Sequence, residues 1–363
     1  RTLTGRGDAK GDVAASLQAT RRTFIERGAE VFSPVLYLRG HSSQLFDFRR
    51  RAVIAPAAPR AAIGVGVSDP TLNSLLTGPY SLVLGSRGTG LPGRPELMAG
   101  LLKGLKDLGE TNAEWEGLDL SSLAQHFFLR RGKGRLNRIF QKVFGTVVDM
   151  PVLPFFRSIA KSVQPGAHTT LLWLPMLEQA LAEVYPDRTI YVVQPAAPGS
   201  GESRLVMARY AGATQWEEED YPPPDIDLTR DFIILRLYGG YSPEAQPVLT
   251  TPKITEDDHI QGLLELRDLF PRDWECQFVG WMRTHPILCV GLSVFEWRHR
   301  MLLRWLLDDR PPTRVSVAVI DPESGEHDIW ERGAGGLFGR GTIHAVDLNI
   351  IALSELIQVV SDD

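Results

Sequence analysis

The sequence has few cysteines and no long apolar run. Its 363 residues include two cysteines, Cys276 and Cys289, which is too few for a four-cysteine zinc site and typical of a reducing compartment. No apolar run reaches the roughly 18 to 20 residues that a membrane-spanning helix needs, and no signal peptide precedes Val13. We therefore expect a cytoplasmic protein that does not enter the membrane and binds no metal.

The chain also lacks a strong charge of either sign. The formal net charge is -5, with 43% hydrophobic and 23% charged residues. These values are typical of a globular protein, and they favour neither nucleic acid nor an anionic membrane as a partner. No Ser-His-Asp triad, P-loop or pair of carboxylates stands out as a site.

Short apolar runs that alternate with helical patterns predict the fold class. Residues 82–84, 232–237 and 287–290 read as continuous apolar strands, each followed by a turn and then an amphipathic segment. We predict an α/β protein with a Rossmann-like, mostly parallel sheet covered by helices on both faces. Residues 1–77 are predicted as an N-terminal extension, 78–363 as the α/β domain, 110–163 as a helical insertion, and 198–230 as a surface excursion.

The most suggestive stretch for a ligand is residues 81–105. A short strand breaks into Gly85, Gly88 and Gly90, and a Leu-Pro pair then leads into a helical pattern. Glycines allow a ligand to approach the backbone, and a helix start can hold a phosphate. Two other glycine stretches, at 64–66 and 333–341, lack an apolar helix directly behind them and are interpreted as ordinary loops.

Four segments in the same order resemble the sirtuin-like domain of bacterial conflict proteins. They are LVLGSRGTGLPGRPEL, TTLLWLPMLEQAL, LRLYGGYSPEAQPVLTTPKITEDDHI and ILCVGLSVFEWRHRMLLRWL. The resemblance covers residues 78–360. It implies a nucleotide-binding sheet and, in active relatives, NAD chemistry carried by an Asn and a His.

Those catalytic positions are changed in this chain. The resemblance places the Asn at Leu172, the Asp of the same motif at Leu174, and the His at Tyr238. Leucine cannot accept a proton, and tyrosine with an ordinary pKa of about 10 is a poor base near pH 7. We therefore predict a catalytically degenerate site. His168 and His285 are fallback imidazoles, although a structural hydrogen bond at a strand start is the simpler interpretation of each.

The resemblance also implies which residues would contact a nucleotide. NAD or ADP-ribose is the cofactor that this implies, although the sequence alone confirms neither. The expected contacts are Gly85, Ser86, Arg87, Gly88, Gly90, Gly239, Gly291 and Ser293.

Three functions remain open from the sequence. The first is a catalytically inert binding or structural component of a multiprotein assembly, such as a defence complex or a phage-tail-like particle. The second is an NAD-hydrolysing effector of antiphage defence, and the third is a sensor of NAD or ADP-ribose. A basic run at 130–142 and an acidic run at 217–220 suggest protein partners or an oligomer.

Overall fold

The computed structural model describes residues 69–107, 115, 118–196, 204–266, 268–271, 273–307, 315–333 and 342–362. Contacts within the chain divide it into two units, residues 1–58 and 59–363. Everything below concerns the second unit. The predictions for residues 1–68 and for nearly all of the 333–341 glycine stretch lie outside the described residues.

The described part of the chain contains one mixed sheet of nine strands. Its order is β5-β4-β3-β6-β2-β1-β7-β8-β9. Seven strands, from β3 to β9 in that order, run parallel. At one edge β4 pairs antiparallel with β3, and β5 pairs antiparallel with β4. The strands are β1 (Ser81–Leu84), β2 (Gly166–Thr170), β3 (Ile190–Pro195), β4 (Arg204–Arg209), β5 (Glu217–Glu218), β6 (Phe232–Arg236), β7 (Ile287–Val290), β8 (Val315–Ile320) and β9 (Thr342–Asp347). The predicted α/β class with a mostly parallel sheet is confirmed.

Helices cover both faces of this sheet. Successive strand residues alternate between two apolar cores, so that Leu82 and Leu84 of β1 pack on one face and Val83 packs on the other. Because both faces are buried, β7 and most of β1 and β6 read as unbroken apolar runs. The described helices are α1 (Pro70–Leu76), α2 (Arg94–Lys106), α3 (Leu120–Arg131), α4 (Lys133–Phe144), α5 (Pro154–Ser162), α6 (Met176–Val184), α7 (Glu256–Leu264), α8 (Trp274–Thr284), α9 (Trp297–Leu307), α10 (His327–Gly333) and α11 (Ile350–Asp362).

The order of the strands creates a switch point beside β1. After β1 the chain builds β2, β3 and β6 on one side, then crosses to build β7, β8 and β9 on the other. In open parallel sheets, ligands bind beside such a point, outside the carboxyl ends of the strands. We therefore expect a ligand site at the carboxyl ends of β1 and β7.

Two local predictions were wrong. Residues 198–230 were expected to form a surface excursion, but they contain β4, which pairs with β3 from Ile190↔Arg209 to Pro195↔Arg204. The stretch after Gly66 was expected to start no helix, yet the Asp69 carboxylate caps α1 by accepting the N–H groups of Thr71 and Leu72, both at 2.9 Å. α1 has only seven residues, which leaves little helical periodicity to detect. β4 has six residues, as many as β3, but the glycines, acidic run and prolines around it favoured a loop.

A glycine substitution tests the close contact between the loops at the switch point. A Cβ on Gly85 would collide with the carbonyl group of Gly291, so Gly85→Ala should lower the free energy of unfolding by about 1–3 kcal/mol or more. Gly134→Ala in α4 is the matched control, because its Cβ would meet no atom within 4 Å, and it should leave stability unchanged or raise it by up to about 1 kcal/mol. Chemical denaturation measures both. Equal stabilities for the two variants would contradict the close approach.

Candidate functional site

The loops after β1 and β7 are joined through their backbones at the switch point. Gly85 N–H donates to Val290 O at 2.8 Å, and Arg87 N–H donates to Gly291 O at 3.0 Å. Gly291 has φ +69°, and a Cβ there would lie 2.6 Å from Gly85 O. Neither position therefore has room for a side chain. The glycine loop, residues 85–90, also turns through Gly88 (φ 68°) and Gly90 (φ 73°).

One buried carboxylate ties three loops together. Glu326, which is 1% exposed, lies just beyond the turn that follows β8. It accepts Ser293 Oγ–H at 2.6 Å and Val294 N–H at 2.8 Å, and it pairs with Arg87 at 2.5 Å. The Ser293 hydroxyl, expected to contact a nucleotide, is instead committed to this structural network.

A cleft of about 310 Å³ opens beside this junction. We call it the switch-point cleft. It lies between the glycine loop, the loops after β7 and β8, and the start of α11. Its lining comprises Arg87, Gly88, Val290, Gly291, Leu292, Val319, Ile320, Asp321, Glu323, Ser324, Leu348, Asn349 and Ile350. Three of the predicted contacts, Arg87, Gly88 and Gly291, therefore meet at one cleft.

A second, smaller pocket lies across the glycine loop, at the carboxyl ends of β2 and β6. We call it the tyrosine pocket, and its volume is about 40 Å³. Leu172, Leu174 and Tyr238 meet here with Ser86, although they come from three different loops. The full lining is Ser86, Leu91, Pro92, Arg94, Phe144, Leu171, Leu172, Trp173, Leu174, Tyr238, Arg298 and His299.

A buried polar cluster backs the tyrosine pocket. The Arg298 guanidinium contacts the His259 imidazole and the Glu296 carboxylate, and its Cζ lies 5.5 Å from the centre of the Tyr238 ring. The rings of Tyr238 and His259 have centroids 4.5 Å apart. Burial raises the pKa of Tyr238 and lowers that of His259 well below its ordinary value, so both groups are uncharged near pH 7.

Glu296 supplies the negative charge that the basic side chains of this cluster surround. Its carboxylate lies 3.1 Å from Arg94 and 3.7 Å from Nε2 of His299. Burial raises the pKa of Glu296, but His299, Arg298 and Arg94 outweigh that effect and bring the pKa to about 2. Burial lowers the pKa of His299 to about 4. The neutral ring accepts Ser293 N–H at Nδ1, at 3.1 Å.

The remaining predicted residues lie outside these two pockets. His168 is buried within β2, where Nδ1 accepts Leu82 N–H at 3.1 Å and Nε2 lies 3.0 Å from Gln164 O. His285 stacks on Trp281 at the amino end of β7, the opposite edge of the sheet. Gly239 has φ 59° and packs against the Thr251 carbonyl. Hydrogen bonds, ring stacking and backbone packing therefore account for these three residues without a ligand.

Most of the charged cluster was not predicted from the sequence. Arg94, His259, Glu296, Arg298, His299 and Glu326 were not among the predicted site residues. The run EWRHR, directly behind the strand and turn at 287–291, carried a usable signal, because charged side chains at the carboxyl end of a buried strand often face a site.

No protein-family model and no curated protein matches this chain. Within the described residues, no three His, Cys, Asp or Glu side chains are grouped so that they could hold a metal ion. None of the described helices is long and apolar enough to cross a bilayer.

Removing the Glu326 carboxylate should destabilise the junction. In Glu326→Ala the buried Ser293 hydroxyl and Val294 N–H lose their acceptor, at about 1–3 kcal/mol each. We expect the free energy of unfolding to fall by roughly 2–4 kcal/mol in urea denaturation. The exposed Glu323 supplies the control, since Glu323→Ala should change it by less than about 0.5 kcal/mol. A Glu326→Ala protein as stable as this control would show that the junction does not depend on the carboxylate.

Buried imidazoles should make stability fall in acid. Burial lowers the pKa of His168 and of His299 to about 4, against about 6.5 in an unfolded chain. The unfolded chain therefore takes up these protons first, and the stability that each ring contributes is complete above about pH 6.5 and lost as the pH falls to 4. Urea unfolding from pH 7 to 4 should show this decline, and His168→Gln should reduce it by about 3 kcal/mol. The same decline in variant and wild type would contradict this assignment.

Proposed function

We propose that this chain is a catalytically degenerate sirtuin-like domain that binds a nucleotide of the NAD or ADP-ribose type and does not consume it. The observation that carries the proposal is the switch-point cleft. It lies at the carboxyl edge of a parallel sheet where the strand order reverses, the place where open α/β sheets bind nucleotides. Its volume of about 310 Å³ is at the lower end of the range for ligand pockets.

The groups around the cleft suit the parts of such a ligand. The glycine loop exposes backbone beside it, and α11 begins there with Asn349 capping Ala352 N–H at 2.9 Å. The other N–H groups of that first turn can hold a phosphate. Arg87 lies at the rim, where it pairs with Glu326, and the exposed Asp321 carboxylate can accept the hydroxyl groups of a ribose.

The tyrosine pocket supports the proposal that the domain does not catalyse the breakdown of NAD. Leu172 and Tyr238 lie 66 positions apart in the sequence (238 − 172), yet both line this one pocket. Their meeting in one pocket supports the resemblance, which assigns both residues to the catalytic positions of sirtuin-like domains. Leucine has no proton acceptor, and burial raises the pKa of Tyr238, which leaves its hydroxyl protonated and unable to act as a base near pH 7.

A role in a larger assembly remains part of the proposal. Arg135, Arg138 and Lys142 are exposed on α4. Other members of the basic run are committed internally: Arg131 donates to Gly104 O at 2.8 Å, and Lys133 pairs with Asp258 at 3.2 Å. The exposed basic side chains offer a docking face for an acidic protein partner. Such a partner would respond to whether the domain holds its nucleotide.

Calorimetric titration with ADP-ribose tests the binding. The wild-type protein should bind it, and Asp321→Asn should weaken binding by roughly 10- to 100-fold, the effect of losing hydrogen bonds to a charged group. Asp187→Asn is the matched control, because Asp187 is exposed before β3, at the amino edge of the sheet. Wild-type protein that does not bind ADP-ribose, or variants that bind it equally well, would contradict the assignment of the cleft.

Release of nicotinamide from NAD tests the absence of chemistry. We expect turnover far below the ordinary enzyme range of about 1 to 10³ per second. Turnover at about 1 per second would instead support the hydrolase function. In that case His299→Ala is the first variant to make, because His299 presents a neutral imidazole in the lining of the tyrosine pocket.

A further inference from the structure

The tyrosine pocket contains buried donors that have no acceptor. Tyr238 is 3% exposed and Arg298 is 6% exposed. The Tyr238 hydroxyl, Arg298 Nε and Trp173 Nε1 are all buried, and none has a hydrogen-bond partner among the described residues. All three residues line the pocket. The nitrogens of arginine and tryptophan can only donate, so a group that pairs with them must supply acceptors.

The charges around the pocket favour an anion. Its lining includes two guanidinium groups, Arg94 and Arg298, and no carboxylate. Glu296 pairs with both arginines from outside the lining, which leaves one positive charge in excess. His259 and His299 add none, because burial lowers the pKa of each ring.

More distant charges also act on this cluster. Lys253 adds positive charge near His259, and Glu265 pairs with it at 3.5 Å. Asp119, the N-cap of α3, adds negative charge near Arg298. None of these three residues lines the pocket, where the two arginines carry the charge.

The volume limits the size of the bound group. One water molecule needs about 10–15 Å³ of cavity volume, so a pocket of about 40 Å³ holds roughly three waters or a group of a few heavy atoms. Apolar side chains, including Leu91, Leu172 and Phe144, form the rest of the wall. A compact, flat group with acceptor atoms at one end meets both conditions.

We propose that the tyrosine pocket binds a carboxylate, either as a small free acid or as the acid end of a larger ligand. A carboxylate offers two acceptor oxygens, and guanidinium groups bind this geometry well. A primary amide of the same shape presents an NH₂ group, which would face donors instead of acceptors. This inference does not depend on the proposed nucleotide binding, because the pocket and the switch-point cleft lie on opposite sides of the glycine loop.

The test compares acids with their amides on the full chain at constant ionic strength. Acetate and acetamide probe a small free ligand, whereas nicotinate and nicotinamide probe a carboxylate on a larger body. The readout is the indole ¹⁵N–¹H resonance of Trp173, identified by its loss in Trp173→Phe. At least one acid should shift this resonance saturably and bind at least tenfold more tightly than its amide. Sodium chloride should not shift it.

Two variants and one control locate the binding. Tyr238→Phe removes only the hydroxyl, and Arg94→Met removes one guanidinium at the rim. Each should weaken binding of the acid by about tenfold or more. Arg157→Met is the control, because Arg157 pairs with Glu183 on the surface away from the pocket, and it should bind like the wild type. Should Tyr238→Phe fail to fold, Arg94→Met still decides.

Several outcomes would overturn the inference. These are a Trp173 resonance that responds to neither acid, equal affinity for acid and amide, and unchanged binding in Arg94→Met. The result is also distinct from the test of the proposed function. ADP-ribose binding without a preference for acids would remove this inference alone, and a preference for acids without ADP-ribose binding would remove the proposed function alone.

Discussion

The contact between the backbones of Gly85 and Gly291 is the constraint on which both pockets depend. Since neither residue has a side chain, the loops after β1 and β7 approach closely enough to share two backbone hydrogen bonds. Glu326 then fixes the same junction from the loop after β8. The glycine loop is thereby held as a wall, with the switch-point cleft on one side and the tyrosine pocket on the other.

A buried ion pair holds the far wall of the tyrosine pocket. Arg236, at the end of β6, pairs with Glu178 of α6 at 3.0 Å, and both side chains are fully buried. Arg236 also donates to Gln194 Oε1 at 3.0 Å and to Leu172 O at 3.3 Å. Removing one partner of such a pair would leave an uncompensated buried charge, so Arg236 is held in place. Its hydrogen bond to Leu172 O then fixes the loop that carries Leu172.

The two pockets differ in what their polar groups still need. Around the switch-point cleft, Arg87 and Ser293 already have protein partners. The other groups there are exposed backbone, a helix start and the Asp321 carboxylate, whose Oδ1 accepts Glu323 N–H at 3.1 Å. Around the tyrosine pocket the charged groups are paired with one another, yet buried donors are left over. A polar group buried without a partner costs free energy, so the tyrosine pocket restricts the chemistry of its ligand more than the switch-point cleft does.

The amino-acid sequence by itself determined the fold class, because apolar strands buried on both faces and glycines at close backbone contacts leave local patterns. It also indicated the glycine turn after β1, whereas β4 was not recognised because glycines, acidic residues and prolines surround it in the sequence. Only the tertiary structure decided which polar groups meet. His259, Glu296 and Arg298 are brought to one place by the packing of α7 and α9, and no spacing along the chain encodes that contact. Burial likewise decided that His168 is a structural imidazole and that Ser293 serves Glu326, because both outcomes depend on neighbours that are distant in sequence.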